Sequence, residues 1–239
     1  SSTPAISFRR IQKVLRDLSD PEQAAHLSRF FKTGRGQYGE GDVFLGIRVP
    51  VLRRVAHSYP TLNDDGIRSL LNSKYHEERM VALLIMVHRF QRVGEDERSA
   101  LFNLYLSMSA RINNWDLVDL SAPHIVGRHL LGRDRSVLNQ LAASPLVWDR
   151  RIAIVSTLTF IRSGDVSTTF EVSRALLGDP HDLIHKAVGW MLREAGKKDG
   201  KAMRAFLDTH LGSMARTTLR YAIERFPEPE RLAYLRKNT

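Results

Sequence analysis

Apolar residues return at intervals of three and four along most of the chain, as in IQKVLRDL (11–18), VLRRVAHSY (51–59), ALFNLYLSM (100–108) and TTFEVSRALL (168–177). That spacing lines one face of a helix, whereas a half-buried strand alternates at every second residue. No alternating run stands out. Breaker-rich clusters separate the helical stretches at SDPE (19–22), YPTLNDDG (59–66), RVGEDE (92–97), RSGD (162–165), GDPHD (178–182) and GKKDG (196–200). The pattern predicts an all-α protein of about ten to twelve helices.

A second regularity is longer. HEERMVALLIMVHRF (76–90), NNWDLVDLSAPHIVG (113–127), WDRRIAIVSTLTFI (148–161) and DLIHKAVGWMLREA (182–195) each run from a polar opening into an apolar helix. With Arg79, Trp115, Arg151 and Lys186 as markers, the offsets are 36, 36 and 35 residues, near the period of helix-pair repeats. An α-solenoid follows, as a single domain over residues 1–239, because one such pair cannot bury its apolar face without a neighbour. The segments at 76–90 and 148–161 are apolar nearly all round, which places these helices sandwiched between others or along a concave face. The run MVALLIMV (80–87) is far shorter than the roughly 20 residues a membrane span requires, and it reads as core.

Charge changes the picture of partners. Against 26 Asp+Glu the chain carries 36 Lys+Arg, a formal charge of +10 with a pI near 10.2. This points to a polyanion, nucleic acid before an anionic membrane. The absence of cysteine excludes a disulfide framework and thiolate metal sites. The opening SSTPAISFRR lacks the apolar core of a secretory signal. The expected compartment is the cytoplasm, with the nucleoid as the place of work if the partner is DNA, and a monomer is expected.

Cations stand where acids are usual. Arg150 and Arg151 open an apolar helix, and Lys186 and Arg79 hold similar places, although the positive end of a helix dipole disfavours cations and attracts anions. They are expected to receive phosphates, unless Asp149, Glu77 and Glu78 compensate them. GRGQYG (34–39) matches the dinucleotide fingerprint in letters, but a helix precedes it and no strand is near, so that site is rejected. The whole loop TGRGQYGEGD (33–42) reads as a flexible connection from which Arg35 and Tyr38 reach a nucleic-acid backbone or merely face solvent. His181 and His185 have the spacing of two zinc ligands but no third ligand and no intervening glutamate, so no metal is expected.

The tryptophans are few: Trp115, Trp148 and Trp190, each within a repeat unit. A large aromatic is usually core, yet three at matching places point to a shared surface. In NNWDLVD, Asn113 and Asp116 resemble a helix start with a first-turn acid. Asp119 lies four residues after Trp115, on the same helical face among Leu117, Val118 and Leu120. Its partner is either Arg151 of the next repeat, as an ion pair, or a cationic ligand held between a carboxylate and aromatic faces. A basic chain with such a site suits a cation attached to a polyanion, as an alkylated DNA base is.

At these residues the sequence resembles the AlkD-type DNA alkylation-repair glycosylases. The resemblance covers nearly the whole chain and is carried by FLGIRVPVLRR (44–54), NNWDLVD (113–119), WDRRIAI (148–154) and HKAVGWMLRE (185–194), in order. It implies a solenoid of HEAT-like repeats with a basic concave groove and a base-excision-repair activity on 3-methyladenine and 7-methylguanine in duplex DNA. It also implies hydrolysis without extrusion of the base and without a cofactor. Carried over by motif, Trp115, Asp119, Arg151 and Trp190 form the active site. Arg53, Lys186, Arg193 and Arg150 are the expected phosphate contacts. Phe30, or Phe31, stands where the family often has an aromatic that faces DNA, here without a phenolic hydroxyl. Two other readings stay open: a non-catalytic HEAT-like scaffold for DNA or an acidic partner, and RNA as the polyanion.

Overall fold

The computed structural model describes residues 7–238. Their regular structure is helical, and one isolated bridge of extended backbone pairs Val43 with Tyr75. The chain folds into two compact units, one ending at Ser121 and the other beginning at Ala122. No helix among the described residues is long and apolar enough to cross a membrane.

The first unit comprises α1 (Phe8–Asp17), α2 (Pro21–Phe30), α3 (Val49–Ser58), α4 (Asp64–Leu71), α5 (His76–Phe90), α6 (Glu95–Ser107) and, but for its last residue, α7 (Trp115–Ala122). Several starts are fixed by side chains that accept otherwise unpartnered N–H groups. Asp20 accepts from Glu22 and Gln23 ahead of Pro21, and Asn63 accepts from Gly66. Helix α5 is the centre of this unit. It packs against α1, α3, α4 and α6, and every side chain from His76 to Met86 is buried. It is therefore sandwiched, as its all-round apolar pattern predicts.

The turn that leads into α3 depends on α5. The Glu77 carboxylate accepts three successive backbone N–H groups, from Leu45 at 2.9 Å, Gly46 at 2.7 Å and Ile47 at 3.1 Å. Gly46 has φ +88°, and a Cβ there would stand 2.1 Å from the Asp20 carbonyl oxygen. Only glycine fits both the left-handed backbone and that close approach. The segment FLGIRVP is thus a turn tied to a buried carboxylate.

In the second unit a wide turn over Pro123–Gly127 leads to α8 (Arg128–Leu130), α9 (Val137–Ala142), α10 (Val147–Val155), α11 (Leu158–Arg162), α12 (Ser167–Leu176), α13 (Asp182–Lys198), α14 (Gly200–His210), α15 (Arg216–Ala222) and α16 (Glu228–Lys237). Helices α9 and α10 pack as a pair, as do α12 and α13, and the pairs stack with α9 on α12 and α10 on α13. That is the packing of a helical repeat array. Gly189 lets α15 approach α13, since a Cβ there would lie 2.6 Å from the Thr218 carbonyl oxygen.

The apolar repeat segments fall on α5, α7, α10 and α13, with two corrections. The segment 148–161 is not one helix, because α10 gives way to α11 at Ser156 and Thr157, where Thr157 Oγ1 donates to the Ile154 carbonyl at 2.7 Å. The segment 113–127 leaves regular helix after Ala122 because Pro123 brings no N–H to the ladder. Trp148 is 6% exposed and belongs to the core, which corrects its reading as a surface residue.

Replacing Glu77 by Gln removes the charge and turns an amide group toward N–H donors. The variant is expected to lose about 3 kcal/mol of unfolding free energy in urea titration.

Candidate functional site

Helix α7 begins one residue later than its sequence signature implies. Asn114, fully buried, takes the capping place, and its Oδ1 accepts the Trp115 N–H at 2.9 Å. Asp116 in the first turn accepts the Leu117 N–H at 2.8 Å. Trp115 and Asp119 follow one turn apart, both half-buried. The charge of Asp119 reaches the phenol of Tyr105: burial drives that pKa upward, the Ser121 hydrogen bond opposes the rise, and Asp119 adds to it.

The indole of Trp115 sits in an aromatic setting. Phe31 stacks on it at 5.3 Å between centroids, and Phe30 meets it edge-on at 6.4 Å. Phe31 is buried, whereas Phe30 is 57% exposed and is the aromatic available to a ligand. The Trp115 Nε1–H donates to the Tyr38 hydroxyl at 3.2 Å. A phenol thus reaches Trp115 from the glycine-rich loop.

That loop is ordered, which corrects its reading as a flexible connection. The Gly34 N–H donates to Gln37 Oε1 at 3.0 Å, the Gly36 N–H to Glu40 Oε2 at 2.7 Å, and the Gly39 N–H to the Lys32 carbonyl at 3.1 Å. Its end is locked by charge. His76 stands between two carboxylates, with Nδ1 at 2.7 Å from Asp42 and Nε2 at 2.7 Å from Asp116. The Arg79 guanidinium donates to Asp42 at 2.8 Å and to the Ser73 and Lys74 carbonyls at 3.2 Å each. Asn114 Nδ2 also donates to Asp42, at 3.4 Å. Burial alone would lower the His76 pKa, but Asp116 and Asp42 raise it to about 9. The Asp42 carboxyl, pushed up by burial, is held below its usual value by His76 and Arg79.

Arg79 is thus no phosphate ligand. It is 2% exposed and structural. Neither expected acid compensates it, since Glu77 serves the 45–47 turn and Glu78 accepts from Ser73 and Gln12.

In the second unit Arg151 is buried on α10 and donates to the Leu183 carbonyl at 2.7 Å. Arg150 is tied by Nε to Asp179 at 2.6 Å and by Nη1 to the carbonyls of Ser144 and Pro145. Asp149, its expected neutraliser, instead accepts from Ser144 Oγ at 2.7 Å. Lys186 lies 3.0 Å from the exposed Asp182, and Arg193 pairs with the exposed Glu224. Trp190 is half-buried on α13. Arg53 is exposed on α3, in the first unit. His181 Nδ1 caps α13 by accepting the Leu183 N–H at 3.1 Å, and His185 Nε2 bonds to the Asp179 carbonyl. Both imidazoles are committed to the start of α13.

Sequence reasoning passed over His76, Asp42 and the Tyr38 contact to Trp115. A signal was present for the first: the four polar residues HEER directly precede the long apolar run MVALLIMV, and at such a place charges are buried in pairs or not at all.

A sequence model of the family described as DNA alkylation repair enzyme matches residues 11–226. No curated protein matches the chain. Among solved structures, one described as a predicted DNA alkylation repair enzyme from Enterococcus faecalis is similar, with a TM-score of 0.68 and 18% identity over 88% of this chain and 97% of that one. At that identity the likeness concerns the fold alone.

The His76 bridge makes stability depend on pH. Its folded pKa of about 9 exceeds the ordinary 6.5, so its contribution of about 3 kcal/mol is full below pH ~6.5 and is lost as pH rises through ~9. Asp42, with its pKa lowered, contributes above pH ~4 and loses that contribution as pH falls further. The urea midpoint is expected to drop between pH 7 and pH 10 in the wild type, and to drop less in His76→Gln.

Proposed function

The chain belongs to the DNA alkylation repair enzyme family, and from that premise we propose that it is a monofunctional DNA glycosylase acting on cationic N3- and N7-alkylated purines in duplex DNA. The observation that carries the reading is Trp115 and Asp119, half-buried and one turn apart at the start of α7. An aromatic face and a carboxylate together suit a developing cation.

Alkylation at N3 or N7 leaves the base positively charged, so it departs without prior protonation. The C1′–N bond breaks with its electron pair going to the base, which leaves neutral, and positive charge develops on the sugar. Asp119 stabilises that oxocarbenium-like sugar and orients the water, whose oxygen bonds to C1′ as its proton passes to solvent. Trp115 packs against the lesion nucleotide. Arg151 and Trp190 take their roles from their motifs, Arg151 holding the flanking phosphate and Trp190 supplying a second indole. Arg53, Lys186 and Arg193 contact phosphates, the exposed Asp182 beside Lys186 and Glu224 beside Arg193 being weak competitors. Arg150 is neutralised by Asp179 and leaves the phosphates to its neighbours, and the exposed Phe30 lies against the duplex. The reaction requires no cofactor, and the protein works as a monomer.

Release of 7-methylguanine and 3-methyladenine from methylated duplex DNA tests the reading. Asp119→Asn is expected to lower the single-turnover rate by about 100-fold or more while DNA affinity holds. Arg151→Ala is expected to reduce both rate and affinity. Full activity in Asp119→Asn removes the carboxylate from the mechanism, and binding without any release by the wild type identifies a scaffold.

A further inference from the structure

We propose that Tyr38 is a positioning residue for the reaction assigned above, holding the Trp115 indole by accepting its only N–H. The inference rests on that assignment and adds a part of the molecule it does not use, the glycine-rich loop.

An indole carries a single donor and no acceptor. In Trp115 that donor is taken by the Tyr38 hydroxyl at 3.2 Å, so what the ring offers a ligand is its π face and its C–H edge. Phe31, buried and stacked on the ring at 5.3 Å, covers part of one side. Together the two contacts fix the ring about both of its side-chain torsions, since stacking restrains tilt and the hydrogen bond restrains rotation in the plane. A cation–π contact demands a fixed face, because its attraction depends on the charge lying over the ring.

The loop is built to keep Tyr38 in place. Gln37, Glu40 and the Lys32 carbonyl accept its own N–H groups, and the Lys32 ammonium stands 6.0 Å from the centre of the Tyr38 ring. The loop ends on Asp42, which is held by His76 and Arg79. His76 also holds Asp116, the residue next to Trp115. One imidazole therefore fixes both the loop that bears the acceptor and the helix that bears the donor. A tyrosine placed only to meet a phosphate would need neither constraint.

The test compares wild type, Tyr38→Phe, Trp115→Phe and the double variant on duplex DNA bearing one 7-methylguanine. Tyr38→Phe keeps the ring and the fold. It is expected to slow single-turnover release about tenfold, with DNA affinity within about twofold of the wild type. In the Trp115→Phe background, where no indole N–H exists, the same change is expected to cost nothing further. The Trp115 indole resonance is expected to shift and to exchange faster with water in Tyr38→Phe at an unchanged melting temperature. Full activity of Tyr38→Phe, a loss confined to affinity, or an equal loss in both backgrounds each overturns the proposal while the glycosylase assignment stands. A wild-type protein that releases no base overturns the assignment, and this role with it.

Discussion

His76 lies buried between Asp42 and Asp116, and much of the first unit depends on that arrangement. With Arg79 on the other oxygen of Asp42, two negative and two positive groups form a neutral quartet in the interior. Such a set persists because each charge is met and hydrogen-bonded, and loss of any one member leaves another uncompensated. Its members come from three places in the chain: the end of the glycine-rich loop, the start of α5 and the first turn of α7. The quartet thereby sets where α7 begins, and with it the spacing of Trp115 and Asp119 from the rest of the unit.

The helical class was legible in the sequence because periodicity of three and four is a local property of each segment. The repeat was legible for the same reason, and the four apolar segments fall on α5, α7, α10 and α13. The charged core was not. His76 meets its two carboxylates across separations of 34 and 40 residues, and no local pattern marks which acid folds back onto which base. Asp42 closes a stretch of glycine and polar residues that reads as solvent-exposed loop, yet its side chain is 3% exposed. The ordering of that loop likewise arises from contacts made inside it and at its end. Trp148 misled in the opposite direction, since an indole at a repeat position looks the same in sequence whether it faces the core or a ligand.

The surplus of positive charge divides into two populations. Arg79, Arg150 and Arg151 have their guanidinium groups turned onto carbonyl oxygens, and Asp42 and Asp179, carboxylates with little exposure, meet Arg79 and Arg150. These groups hold loops to helix starts. Arg53 and Lys186 stand nearer solvent, Lys186 beside the exposed Asp182, while Arg193 is half-buried, donating to the Tyr221 carbonyl and pairing with the exposed Glu224. Net charge therefore overstates the number of cations a polyanion can reach.

The cradle of Leu45, Gly46 and Ile47 has a further meaning. Three consecutive N–H groups converging on one point are a ready-made anion receptor, the kind of concavity that elsewhere receives a phosphate. Here the chain closes it with its own Glu77. That backbone receptor is occupied from within, and any foreign anion must displace a tethered carboxylate to reach it.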